Sequence, residues 1–170
     1  YGITLAAAPY FTLGDVAALS FERTSPFSIL VVLKPNISAW GNIIGKMNSA
    51  SFPGWRFDFL ASGLLMFDLR NSAGRAMTQT NAAPANGTTT MLLVTYNGVN
   101  TAGIIFYKDG AVYAQTGQAD TLSSGTIIDT TPAVIGSIAG GTLLNATVGL
   151  LAVFSTNKTA EDARRWAWLG

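Results

Sequence analysis

The sequence predicts an all-β protein, a sandwich of two antiparallel sheets closed by one short C-terminal helix, and three stretches carry that prediction. After Met91, the residues Leu92, Val94 and Tyr96 alternate with Leu93 and Thr95, the period-two signature of a strand with two different faces. A second alternating pair, Trp55 to Leu60 and Leu64 to Arg70, flanks Ala61-Ser62-Gly63. Helical signals begin only at Thr159, so helix is expected at the end of the chain alone.

The strands can be justified in order. Ile3 to Ala8 is a short apolar run stopped by Pro9, and Tyr10 to Leu13 follows with Gly14-Asp15 as its turn. After the brief Leu19-Ser20-Phe21 comes Phe27 to Lys34, nearly all apolar and ended by Pro35-Asn36, as suits a strand central to a sandwich. Residues 36 to 41 read as a loop, Asn42 to Lys46 as a strand and residues 47 to 54 as a longer loop. In the 55 to 70 hairpin a three-residue turn sets Asp58 opposite Met66 and Arg56 opposite Asp68. Trp55, Phe57, Phe59, Leu65, Phe67 and Leu69 then take the core side.

Residues 71 to 90 are rich in Asn, Ala, Thr and Gly and are expected to hold an edge strand and a loop. Ile104 to Lys108 and Ala111 to Thr116 flank Asp109-Gly110, a dipeptide suited to the two positive φ angles of a type I′ turn; Tyr107 then faces Val112 and Phe106 faces Tyr113. Residues 117 to 131 again have loop and edge composition. Ala133 to Ile138 and Val148 to Phe154 are the last strands, separated by Gly140-Gly141. Thr159 with an acid three places on caps the helix, onto which Trp166 and Trp168 are expected to pack. The expected core holds Phe27, Ile29, Val31, Phe57, Phe59, Phe67, Val94, Phe106 or Tyr107, Ile135 and Phe154. The whole chain, 1–170, reads as one domain.

Composition narrows the chemistry. Hydrophobic residues make up 49% of the 170 and charged residues 11%, so the exterior must rely on Ser, Thr, Asn and Gly. A net charge of +1 offers no electrostatic footprint for nucleic acid or an anionic membrane, and no apolar run is long enough for a membrane-spanning helix. Cysteine and histidine are both absent, which removes zinc clusters, thiol nucleophiles and every Ser-His arrangement. The chain starts at Tyr1 rather than Met, as expected of a processed chain or an excised domain.

In this order the pieces resemble the laminin-G-like or concanavalin A-like lectin family. Tyr10-Phe11-Thr12-Leu13, Leu19-Ser20-Phe21 and Phe27-Ser28-Ile29 with Lys34-Pro35 are similar to its first strands. Gly41-Asn42-Ile43-Ile44-Gly45-Lys46, Gly54-Trp55-Arg56-Phe57, Val94-Thr95-Tyr96-Asn97-Gly98 and Tyr107-Lys108-Asp109-Gly110 are similar to its middle ones, and Ile135-Gly136, Val148-Gly149-Leu150, Phe154 and Glu161 to its end. The resemblance implies a jelly-roll sandwich. Met91 and Leu144 stand where the family commonly has Trp and an aromatic, so a family ligand site need not be retained.

No Glu-x-Asp-x-Glu run of the kind that sandwich glycosidases carry is present, and the nearest set, Asp58 and Asp68 with Arg56 and Arg70, reads as cross-strand ion pairs. No catalytic residue, cofactor or metal ligand is expected; Asp15, Asp120 and Asp129 read as turn formers rather than calcium ligands. Sugar recognition needs an exposed aromatic ring with amides beside it, and Trp40, flanked by Asn36 and Asn42, is the candidate ligand site. Asn-x-Ser/Thr triplets at Asn36, Asn86, Asn145 and Asn157 arise readily by chance in so Ser/Thr-rich a chain. The functional expectation is a non-catalytic recognition or display module, extracellular or on a virion such as a phage, binding a glycan or protein partner. The alternative is a cement or decoration subunit, with a glycoside hydrolase third. Because 71 to 90 and 117 to 131 hold few charges to guard a sheet edge, a homo-oligomer or larger particle is expected.

Overall fold

A computed structural model describes residues 2–5, 10–47, 53–137 and 143–169. The chain forms two antiparallel sheets facing one another. Strands β1 (Ile3–Leu5), β13 (Ala146–Phe154), β3 (Phe27–Pro35), β8 (Thr90–Tyr96), β9 (Ile104–Lys108) and β10 (Ala111–Val112) lie side by side, in that order, in a six-stranded sheet. The opposing seven-stranded sheet runs β11 (Gln115–Asp120), β7 (Arg75–Thr80), β6 (Leu65–Arg70), β5 (Gly54–Phe59), β4 (Gly41–Met47), β12 (Ala133–Ile135) and β2 (Phe11–Gly14). This is the two-sheet jelly-roll sandwich with one short C-terminal helix, α1 (Ala160–Trp166).

The core forms where the inward alternate residues of the two sheets meet. Phe27, Ile29 and Val31 of β3, Leu92, Val94 and Tyr96 of β8 and Phe106 of β9 pack against Trp55, Phe57, Phe59, Leu65, Phe67 and Leu69 of the hairpin. Burial of each such side chain is worth about 1.5–3 kcal/mol, so this aromatic layer dominates the stability of the sandwich. Phe27 is its centre, stacked on Phe21 at 4.2 Å and tilted against Trp55 at 5.5 Å. Ile135 is partly buried against the same core.

The opposite faces of β3, β8 and β9 are also apolar, because α1 covers them. Leu30, Val32, Met91, Leu93 and Tyr107 form a second cluster with Ala163, and Trp166 stacks on Phe154 at 5.2 Å. Thr159 caps α1 reciprocally with Asp162, a capping box that fixes where the helix begins. Trp168 does not share this role: it is 79% exposed.

The turn at Asp109-Gly110 has φ of 48° and 83°, and Lys108 faces Ala111 as the dipeptide dictates. The returning strand is shorter than expected. Past Val112 and the Tyr113 N–H bond to Phe106, the Gln115 side chain takes over, accepting from Phe106 N–H at 2.7 Å and donating to the Ile104 carbonyl. That frees the backbone of 115–120 to cross to the other sheet and pair with β7. A second correction follows: the expected edge strand in 71–90 is β7, an interior strand between β6 and β11. Leu19 closes a 3-10 turn, Ala17–Leu19. Expectations for 6–9, 48–52 and 138–142 fall outside the described residues.

Candidate functional site

The outward alternate residues of β5, β6 and β7 carry the charge that the inner face excludes. Arg56 faces Asp68, which faces Met77, while Arg70 lies directly opposite Arg75. Like charges opposed across a strand pair are destabilising, and here Asp68 offsets that cost. Its carboxylate is fully buried and receives Arg70 Nη2 at 2.6 Å, Arg75 Nη2 at 2.9 Å and Arg56 Nη2 at 3.2 Å. The simple Arg56–Asp68 pair expected from register is thus one arm of a larger network.

Asp58, two residues after Arg56 on β5, is also buried. Its Oδ1 accepts from Asn42 Nδ2 at 2.7 Å, and its Oδ2 accepts from Trp40 Nε1 at 3.1 Å, with Arg56 Nε 3.3 Å away. Burial pushes its carboxyl up to about 6, against the lowering pull of Arg56 and of the Asn42 and Trp40 hydrogen bonds. Arg56 also lies 5.1 Å from the centre of the Trp40 ring, so the indole is held at its N–H edge by Asp58 and on one face by a guanidinium. It remains 37% exposed.

Of the candidate residues, the fold brings Trp40 and Asn42 together around Asp58 but leaves Asn36 elsewhere. Asn42 is buried and committed to Asp58, with its Oδ1 unpartnered. Asn36 is exposed just beyond β3, in the other sheet, its N–H bonded to the Asn145 carbonyl. Register from sequence predicts only the Arg56–Asp68 pair; Arg75 joins the cluster because it faces Arg70 across the β6–β7 turn. The signal available was a second Arg placed across a short turn from Arg70.

The acids weighed as turn formers are all engaged within the protein, and Asp120 closes strand β11 rather than lying in a loop. Asp15 takes the Lys46 ammonium at 2.6 Å, and the same buried ammonium donates to the Asp129 and Thr131 carbonyls at 2.8 Å. Asp120 accepts from Thr101 N–H. Among the described residues no group of three or more His, Cys, Asp or Glu could hold a metal ion, and no helix is long and apolar enough to cross a membrane.

No protein-family model matches the sequence, and no curated protein matches it. Solved structures do match in shape. The chain is similar to the CBM40 of Ruminococcus gnavus IT-sialidase bound to alpha2,3 sialyllactose, with a TM-score of 0.74 and 13% identity over 98% of this chain and 96% of that one. It is also similar to the botulinum neurotoxin serotype G binding domain, with a TM-score of 0.67 and 13% identity over 98% of this chain and 42% of that one. A native heptameric SAP-like pentraxin from Limulus polyphemus matches with a TM-score of 0.62 and 17% identity, over 98% of this chain and 80% of that one. At these identities the likeness shows the fold alone, a two-sheet jelly-roll sandwich.

Proposed function

We propose that the chain is a non-catalytic recognition module that binds a glycan on the outer face of the seven-stranded sheet, with Trp40 as the stacking platform. The observation that carries this reading is the fixed indole: a half-open aromatic ring whose orientation is set by a buried carboxylate and an arginine. A ring already held in place loses little freedom when a sugar stacks on it, which favours binding. The likeness to a carbohydrate-binding module solved with sialyllactose supports the same reading. Asn42 serves here as a positioning residue for Asp58, and Asn36 lies outside the site. A glycan array with wild type and Trp40→Ala tests it: binding lost in the variant is expected, and an array silent to the folded wild type overturns it.

The setting we propose is an extracellular surface, a virion surface among them, with the chain acting in an oligomer or larger particle. The nearly uncharged polar exterior supports that setting. The cement-subunit reading is favoured by one feature. Edge strands β1 and β2 flank an apolar groove of about 420 Å³ lined by Ile3, Leu5, Phe11, Ile135, Val148 and Leu150. Light scattering separates the readings: self-association abolished by Phe11→Lys, without glycan binding, favours cement.

A further inference from the structure

We infer that the ligand of this face carries an anionic oxygen group, a carboxylate or a sulfate, held by Arg75 at the β6–β7 turn. The inference rests on the glycan reading above and specifies its ligand.

Its first ground is charge. Three guanidinium groups converge on the one carboxylate of Asp68, and Asp58 on the Trp40 side is the only other acid on these outward positions of β5 to β7. The remaining acids are engaged elsewhere: Asp15 with Lys46, Glu22 with Thr126, Asp109 with Lys108, Asp120 with Thr101, Asp129 through its own turn at Thr131, Asp162 with Thr159 and Glu161 with Arg165. The face therefore keeps an excess of positive charge in a chain whose net charge is only +1.

The second ground is shape. A cavity of about 240 Å³ opens at the β6–β7 turn between Arg70 and Arg75, its wall formed by the turn residues 71–74 and by Thr121. Arg75 is the most open of the three arginines, with 32% of its side chain exposed, so its charge reaches the surface while Asp68 stays sealed beneath. Arg75 gives its Nε and Nη2 donors to Asp68, which leaves the Nη1 donors on its open side to meet an anionic oxygen. The third ground is spacing. The Arg56 guanidinium lies 5.1 Å from the Trp40 ring and meets, at 3.2 Å, the same Asp68 oxygen that Arg75 Nη2 meets at 2.9 Å, so this short chain of contacts keeps the ring and Arg75 within the reach of a short oligosaccharide that stacks on one and presents its acid to the other.

The test uses polymers that differ in the acidic group: dextran sulfate, polygalacturonate and neutral dextran, with binding measured at low and at high salt. The expected result is binding to a sulfated or carboxylated polymer that weakens as salt rises, with dextran bound about tenfold less or not at all. The arm that binds distinguishes sulfate from carboxylate. Arg75→Gln is expected to weaken the acidic interaction about tenfold or more, and Arg165→Gln, on the helix, to leave it unchanged. Should Arg75→Gln fail to fold, the salt dependence of the wild type and Arg75→Lys decide. Dextran bound as tightly as the acidic polymers, or an acidic interaction indifferent to Arg75→Gln in a folded protein, overturns the inference and leaves the glycan reading standing. Failure to bind any polymer or any glycan of an array overturns both.

Discussion

Trp40 donates its indole N–H to Asp58 at 3.1 Å, so an exposed ring in a loop is tied to a fully buried carboxylate on an interior strand. The link makes each residue report on the other. Replacing Trp40 by Phe keeps an aromatic surface but removes a hydrogen bond that holds the Asp58 carboxyl down, so its titration is expected to move above about 6. NMR titration of the Asp58 carboxyl carbon checks this; an unchanged or lower midpoint in Trp40→Phe refutes it.

Asp58 also sets a pH dependence. Its native carboxyl titrates near 6, above the 3.8 of the unfolded chain, so the folded protein binds this proton more tightly. The associated stability is fully present below the lower value and is lost as pH rises through the upper one, an effect of up to about 3 kcal/mol. Urea unfolding of Asp58→Asn is therefore expected to show less gain in stability than wild type between pH 7 and pH 4, on the order of the titration window. Parallel curves for the two proteins would refute it.

Lys46 anchors the β2 turn and the loop before β12 through one carboxylate and two carbonyls. In Lys46→Met the two carbonyls lose their donor, while Asp15, with 46% of its side chain exposed, keeps its charge solvated. The expected cost is roughly 2–3 kcal/mol, below that of stranding a fully buried charge. Chemical denaturation measures it, and a loss under about 0.5 kcal/mol, the scatter of ordinary surface substitutions, contradicts the anchoring role.

Phe57 packs between Phe67 and Phe106, joining the two sheets at the centre of the core. Phe57→Ala is expected to cost about 3–5 kcal/mol. Trp168→Ala, at a residue 79% exposed, is expected to cost little. Thermal melts of the two variants side by side test whether the core lies where these contacts put it.

The sequence by itself determined the sandwich, because alternation in Trp55 to Arg70 and Met91 to Lys108 assigns each side chain to a face, and Asp109-Gly110 and Thr159 with Asp162 fix a turn and a cap locally. Those are short-range rules, and they held residue by residue in the pairing of Arg56 with Asp68 and of Lys108 with Ala111. What only the tertiary structure decided is which strands become neighbours. The crossing of 115–120 to β7 depends on Gln115 completing the edge of β9, a side-chain contact with no periodic signature. The same holds for the site: Trp40 meets Asp58 and Arg56, and Arg75 meets Asp68, because four strands are laid side by side. Alternation can place these residues on one face, but distances across a sheet arise only when the chain closes it.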